Sequence, residues 1–126
     1  MDRIKALENK AQKFLRSAAV LLEMEDFDSC ASRAYFSMFY AAQAALMYET
    51  TSVASNQSVR RTFVERFVES GRLPQRAGEA LVRAAELQEV GDYGFDFAVS
   101  QADAEMILQE AEAFVNSISR LIAVGA

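Results

Sequence analysis

The chain has 126 residues, 52% of them hydrophobic and 10% aromatic, with a single proline and five glycines. That length suits one compact core, read as a single domain over 1–126, and the composition favours helices while excluding an unfolded chain or a turn-rich sandwich. The formal net charge of −5 argues against general binding to phosphate backbones, but charge is segregated along the chain: six basic and seven acidic groups over 1–59, six arginines against three glutamates over 60–83, and one arginine against eight acids over 84–126.

Ile4, Leu7, Ala11, Phe14, Ala18 and Leu21 recur in steps of three and four, which predicts a first helix to about Glu25 with these residues on its buried stripe. Asp26 and Asp28 are candidate caps for a second helix, which meets no Gly or Pro before about Tyr48. It is apolar on most sides, so it belongs at the centre of a bundle, and its alanines allow close approach by neighbouring helices or a second subunit. Glu49 to Asn56 is polar and reads as a loop ending in a cap near Ser55 or Asn56. A third helix is predicted over roughly Gln57 to Glu69, with Val59, Phe63 and Phe67 inward and Gly71 as its stop. Pro74 suits the first turn of a fourth helix, with Ala77, Leu81, Ala84 and Leu87 facing inward, and Gly91 and Gly94 bracket a break around Asp92 and Tyr93. Ser100-Gln101-Ala102-Asp103 resembles a capping box ahead of a fifth helix buried through Ile107, Ala111, Phe114, Ile118 and Leu121. Short connections favour antiparallel neighbours, so the expected fold is all-α, an up-and-down bundle of four to five helices.

The polar residues of the second helix are few, and Arg33, Ser37 and Tyr40 recur at i, i+4 and i+7, with Gln43 three residues further on. An arginine within so apolar a helix is expected to be buried and therefore paired, because a lone desolvated guanidinium costs several kcal/mol or more. Its counterpart is an acidic side chain from helix four or five, the same stripe on a second subunit, or an anionic ligand; a structural network inside the bundle is the competing reading. The arginines at 60, 61, 66, 72, 76 and 83 could meet phosphates, or form an ordinary solvated face with Glu65, Glu69 and Glu79. Glu86, Glu89, Asp92 and Asp96 lack the histidines that carboxylate di-metal bundles use, so no metal site is read. With no histidine and no glycine-rich phosphate loop, nucleophilic dyads and bound nucleotide cofactors find no motif. Cys30 is the single cysteine and reads as a small buried hydrophobe. The charged amphipathic start, Met1 to Lys5, does not support a signal peptide, no stretch approaches roughly 20 uninterrupted apolar residues, and a reduced cytoplasm is the expected location.

The run from Ala31 to Leu46, containing Arg33, Ser37 and Tyr40, resembles the central helix of HEPN domains, the higher eukaryote and prokaryote nucleotide-binding family. Phe63 through Pro74 resembles that family's third helix and following turn, and Glu86 to Tyr93 resembles the segment ending in an Asp-Tyr pair before the last helix. The resemblance implies a helical bundle that dimerises with its central helices lining a shared cleft. In the family's ribonucleases that cleft holds an arginine and, after four to six intervening residues, a histidine. By position these fall on Arg33 and Tyr40. A second histidine, often at the start of helix three, would fall near Gln57, and the arginine often found before the Asp-Tyr pair is Gln88.

A proton-transfer group for RNA cleavage works best near neutral pH, where histidine titrates; tyrosine, near pKa 10, is a poor substitute. The resemblance therefore implies a non-catalytic HEPN-type protein that dimerises and binds a nucleotide or RNA phosphate, or a small nucleotidyltransferase, through Arg33, Ser37, Tyr40 and Gln43. The alternatives are a metal-independent ribonuclease toxin of a HEPN/nucleotidyltransferase toxin-antitoxin pair, acting through Arg33 and Tyr40, and a structural homodimer with no nucleotide ligand. Nucleotidyltransferases of such pairs modify a tyrosine in some cases, for which Tyr93 and Tyr40 are the candidates. No cofactor is called for.

Overall fold

The computed structural model describes residues 2–49, 55–93 and 98–125, with the backbone alone at 56 and 93. Among them are five α-helices and no strand: α1 (Arg3–Glu23), α2 (Phe27–Tyr48), α3 (Asn56–Phe63), α4 (Gln75–Tyr93) and α5 (Gln101–Ala123), with a π-helical turn over Val64–Val68 continuing α3. The all-α bundle expected from the sequence is thus the fold observed.

Helix starts follow from side-chain caps that satisfy the first free amides. Asp2, Asp26, Ser55 and Ser100 accept from the backbone N–H of Lys5, Ser29, Ser58 and Asp103. Asp28, the other candidate cap, lies inside the first turn of α2 and accepts instead from the Val99 N–H at 2.8 Å. Helix α1 stops two residues before Glu25, which takes a left-handed φ of 63°. The Asp26 and Glu25 amides bond back to the carbonyls of Leu21 and Leu22, so the turn closes as a Schellman motif with glutamate where glycine is usual.

Helix α2 contacts α1, α3, α4 and α5, as its all-round apolar surface requires. Lys10 lies against Tyr40 while Leu21 shares a cleft with Ser29, so α1 and α2 run antiparallel. Arg83 pairs with Glu110, while Pro74 and Ala77 face Ala113 and Ser117, which makes α4 and α5 antiparallel too. The Asp28–Val99 bond puts the starts of α2 and α5 at one end, giving up-down-up-down order among the four long helices.

The core gathers Tyr35, Met38 and Leu46 of α2, Phe63 and Phe67 below them, Leu81 of α4, and Ile107, Phe114 and Ile118 of α5. Cys30 lies within it, and burial, reinforced by Asp26, raises its thiol pKa to about 11. Three expectations are corrected. Of the expected α1 stripe Ala11 and Ala18 are buried, but Leu15 is buried beside them, while Ile4, Leu7, Phe14 and Leu21 are only partly covered. The third helix is not one α-helix to Glu69, because at Val64 the turn widens by one residue. Helix α4 does not break at Gly91 but continues to Tyr93; Gly94 and Asp96 lie outside the described residues.

Candidate functional site

A cleft lies beside α2 where Phe14 and Leu21 of α1 are only partly covered. It measures about 430 Å³ and is lined by Phe14 and Leu21 of α1, by Ser29, Ser32, Arg33, Phe36 and Tyr40 of α2, and by Asp92 of α4. Arg33 is exposed here, not buried, so the expectation that a paired network must neutralise it in the core is overturned. Its guanidinium carbon sits 4.9 Å from the centroid of Phe14. Phe14 meets Tyr40 edge to face at 5.2 Å, and the Lys10 ammonium lies 4.6 Å from the Tyr40 ring centre. The order is cation, ring, ring, cation. Each cation–ring contact contributes about 0.5–1 kcal/mol at an exposed site and limits where the charge can go, yet leaves its N–H donors unspent. Among the described residues neither the Arg33 nor the Lys10 side chain takes part in an ion pair or hydrogen bond.

At the other end of the cleft Asp92 is held in place. Its Oδ2 accepts from the Ser32 hydroxyl at 3.2 Å and from the Gln88 side-chain amide at 2.7 Å, tying the end of α4 to α2. Gly91 makes that approach close: a Cβ there would lie 3.1 Å from the Asp28 carbonyl oxygen and 3.2 Å from its Cα.

The HEPN domain family model matches residues 4–121. The chain belongs to the HEPN family. A UPF0332 protein of Archaeoglobus fulgidus is 32% identical over 122 residues, covering 97% of each chain. A Methanocaldococcus jannaschii protein named as a candidate toxin is 28% identical over 121 residues, which is 96% of this chain and 90% of that one. The crystal structure of TT1696 from Thermus thermophilus has the same fold, with a TM-score of 0.80 at 16% identity over 95% of this chain and 98% of the other.

Within this HEPN domain, Arg33 and Tyr40 come together in one cleft as their spacing suggested. Ser37 does not join them. It is fully buried and donates its hydroxyl at 2.6 Å to the Ala34 carbonyl, a bond within the helix that satisfies it without any ligand. Gln43 is partly buried and is not among the residues lining the cleft. Tyr93 ends α4, and its side chain lies outside the described residues.

The arginine group does not form one surface. Arg72 forks onto Glu49 at 2.7 and 3.2 Å, Arg83 holds Glu110, and Arg60 donates to the buried Tyr35 hydroxyl at 2.8 Å. No group of three or more candidate metal ligands occurs among the described residues. What sequence reasoning missed is Phe14 with Lys10, and Ser32 with Asp92. A lysine at 10 and an aromatic at 14 on one helix face were a legible signal; the Ser32–Asp92 contact, which spans 60 residues of chain, was not.

The cleft's chemistry is that of a fixed, accessible guanidinium with an ammonium and a phenol nearby. Guanidinium matches the oxygens of a phosphate in a forked geometry. The chain contains no histidine, so no imidazole serves as general acid or base there.

Proposed function

We propose that this HEPN protein binds a phosphate group of a nucleotide or RNA in the cleft between α1 and α2, with Arg33 as the principal donor and Lys10 and Tyr40 beside it. The carrying observation is the edge-to-face pair Phe14–Tyr40, which mounts a cation at each end, neither of them in an ion pair among the described residues. Such a pair is prepared for an anion before the anion arrives. Binding without strand cleavage is the reading that fits a cleft with no histidine. Dimerisation through the α2 face and a small nucleotidyltransferase as partner complete the proposal, supported by the family resemblance and by relatives named as candidate toxins, since a toxin needs a partner that restrains it.

Titrating purified protein with labelled mononucleotide and short RNA at two salt concentrations tests this. Saturable binding that weakens with salt and is lost in Arg33→Ala supports it; undiminished binding in the mutant refutes the assignment. Incubating the same protein with RNA tests the ribonuclease alternative, which requires cleavage that disappears in Arg33→Ala.

A further inference from the structure

The cleft does not end at Arg33. A second depression of about 800 Å³ shares Phe14, Leu21 and Arg33 with it and continues across the outer face of α1, lined by Lys10, Lys13, Arg16, Ser17 and Val20. Lys10, Lys13 and Arg16 stand at intervals of three residues, spanning about 9 Å of helix axis at about 1.5 Å per residue. All three are exposed, and none is ion-paired among the described residues. Their line meets Arg33 at Phe14.

We infer that this line is the track of a single-stranded nucleic acid, whose phosphodiester backbone runs from Arg33 along α1 past Lys13 and Arg16. The inference rests on the phosphate reading of the cleft and extends it from one phosphate to a strand. The exposed cations give the track its charge, and screening over about 8 Å at physiological salt makes the local charge of this face count for more than the net charge of −5; Asp92 lines the Arg33 end of the cleft, where Ser32 and Gln88 donate to its carboxylate. The half-exposed Val20, at 54%, and the partly covered Leu21 offer apolar floor beside the cations. Arg33 and Lys10 already occupy faces of Phe14 and Tyr40, so the rings support cations rather than serve as open platforms for stacked bases. Recognition therefore follows strand length and charge, with little preference for base identity.

Fluorescence anisotropy with labelled oligonucleotides of two to twelve nucleotides, as RNA and as single-stranded DNA, tests the track in wild type, Lys13→Gln/Arg16→Gln and Arg33→Ala. Both altered sites are on the surface, so folded variants are expected, and circular dichroism checks them. Wild-type affinity should rise with length. The double variant should keep dinucleotide affinity but lose the gain with length, and its salt slope should fall by about 1.4, since each single-strand phosphate contact contributes about 0.7. The ratio of wild-type to variant affinity then changes roughly sevenfold between 50 and 200 mM salt. Equal gains for RNA and DNA identify the shared backbone as ligand; a gain for RNA alone adds the ribose hydroxyl. An unchanged length dependence in the double variant overturns the track while leaving an Arg33-dependent dinucleotide site standing. If the double variant instead loses binding to phosphatidylserine vesicles with oligonucleotide binding unaltered, the track is overturned in favour of a membrane surface. Absence of both dinucleotide and oligonucleotide binding in wild type overturns the phosphate reading itself.

Discussion

Two glycines of α4 should respond in opposite directions to the same substitution. In a helix interior Gly→Ala gains about 0.8–1.0 kcal/mol from backbone propensity. At Gly78 an added Cβ would lie 3.5–3.6 Å from the methyl groups of Val64 and Val68, ordinary contact, so Gly78→Ala should stabilise the protein by about 1 kcal/mol. At Gly91 the same Cβ would press on the Asp28 backbone at 3.1–3.2 Å, and backbone inside a helix yields poorly. Overpacking of this kind costs about 1–3 kcal/mol, which outweighs the propensity gain and leaves a net loss of about 1 kcal/mol. For a chain of this size 1 kcal/mol moves Tm by roughly 4 °C, so thermal unfolding should place the two variants about 8 °C apart on either side of wild type. Hydrogen exchange adds a local readout: the Val99 amide, held by Asp28, should exchange faster in Gly91→Ala alone. A rise in Tm for both variants would refute the idea that α4 and α2 touch through backbone at this point.

Glu25→Gly should raise stability by about 1 kcal/mol in denaturant titrations, because a left-handed φ costs a side-chain-bearing residue roughly 1–2 kcal/mol and glycine's extra unfolded-state freedom returns only part of it. Tyr35→Phe deletes the acceptor of Arg60 and should lower stability by about 1–2 kcal/mol, with the urea midpoint falling at unchanged slope. The Arg72 guanidinium hydrogen-bonded to Glu49 holds that carboxyl below its ordinary value of 4.5. A depressed folded-state pKa stabilises the protein above the ordinary value and ceases to do so as pH falls through the lowered one. The Tm difference between wild type and Glu49→Gln should accordingly be present at pH 7 and shrink below about pH 4; a difference that persists in acid would exclude the ion pair as its source.

The parts legible in the sequence were those fixed by local chemistry. Asp26 and Ser100 announced their caps because an oxygen three residues ahead of a free amide is a local arrangement, and α2 announced its central place because it has no polar face to turn outward. Arg33 misled for a related reason. An arginine amid Ala34, Tyr35 and Phe36 looks buried unless one knows that α1 turns the ring of Phe14 toward it and leaves its outer side open. Periodicity placed Phe14 on the core stripe because steps of three and four fix a stripe only to within about one residue; Leu15, which it omitted, is the residue buried. Ser37 looked like a member of the cleft because side-chain spacing gives direction along the helix but not depth. The π turn was invisible, since Val59, Phe63 and Phe67 are spaced four apart in either kind of helix.

The π turn also bears on how relatives align with this chain. From Val64 the helix carries one residue more than an α-helical path of equal rotation would need, and the Leu73 amide returns to the Phe67 carbonyl to close the segment before Pro74. Deleting one residue there would let the turn relax to α geometry while Phe63 above and Leu73 below keep their places. The segment is thus a slack point in the chain's numbering: a relative with one residue fewer between α2 and α4 can superpose on both, and its offset at Gln88 and Asp92 would report the shape of this turn rather than any change in the cleft.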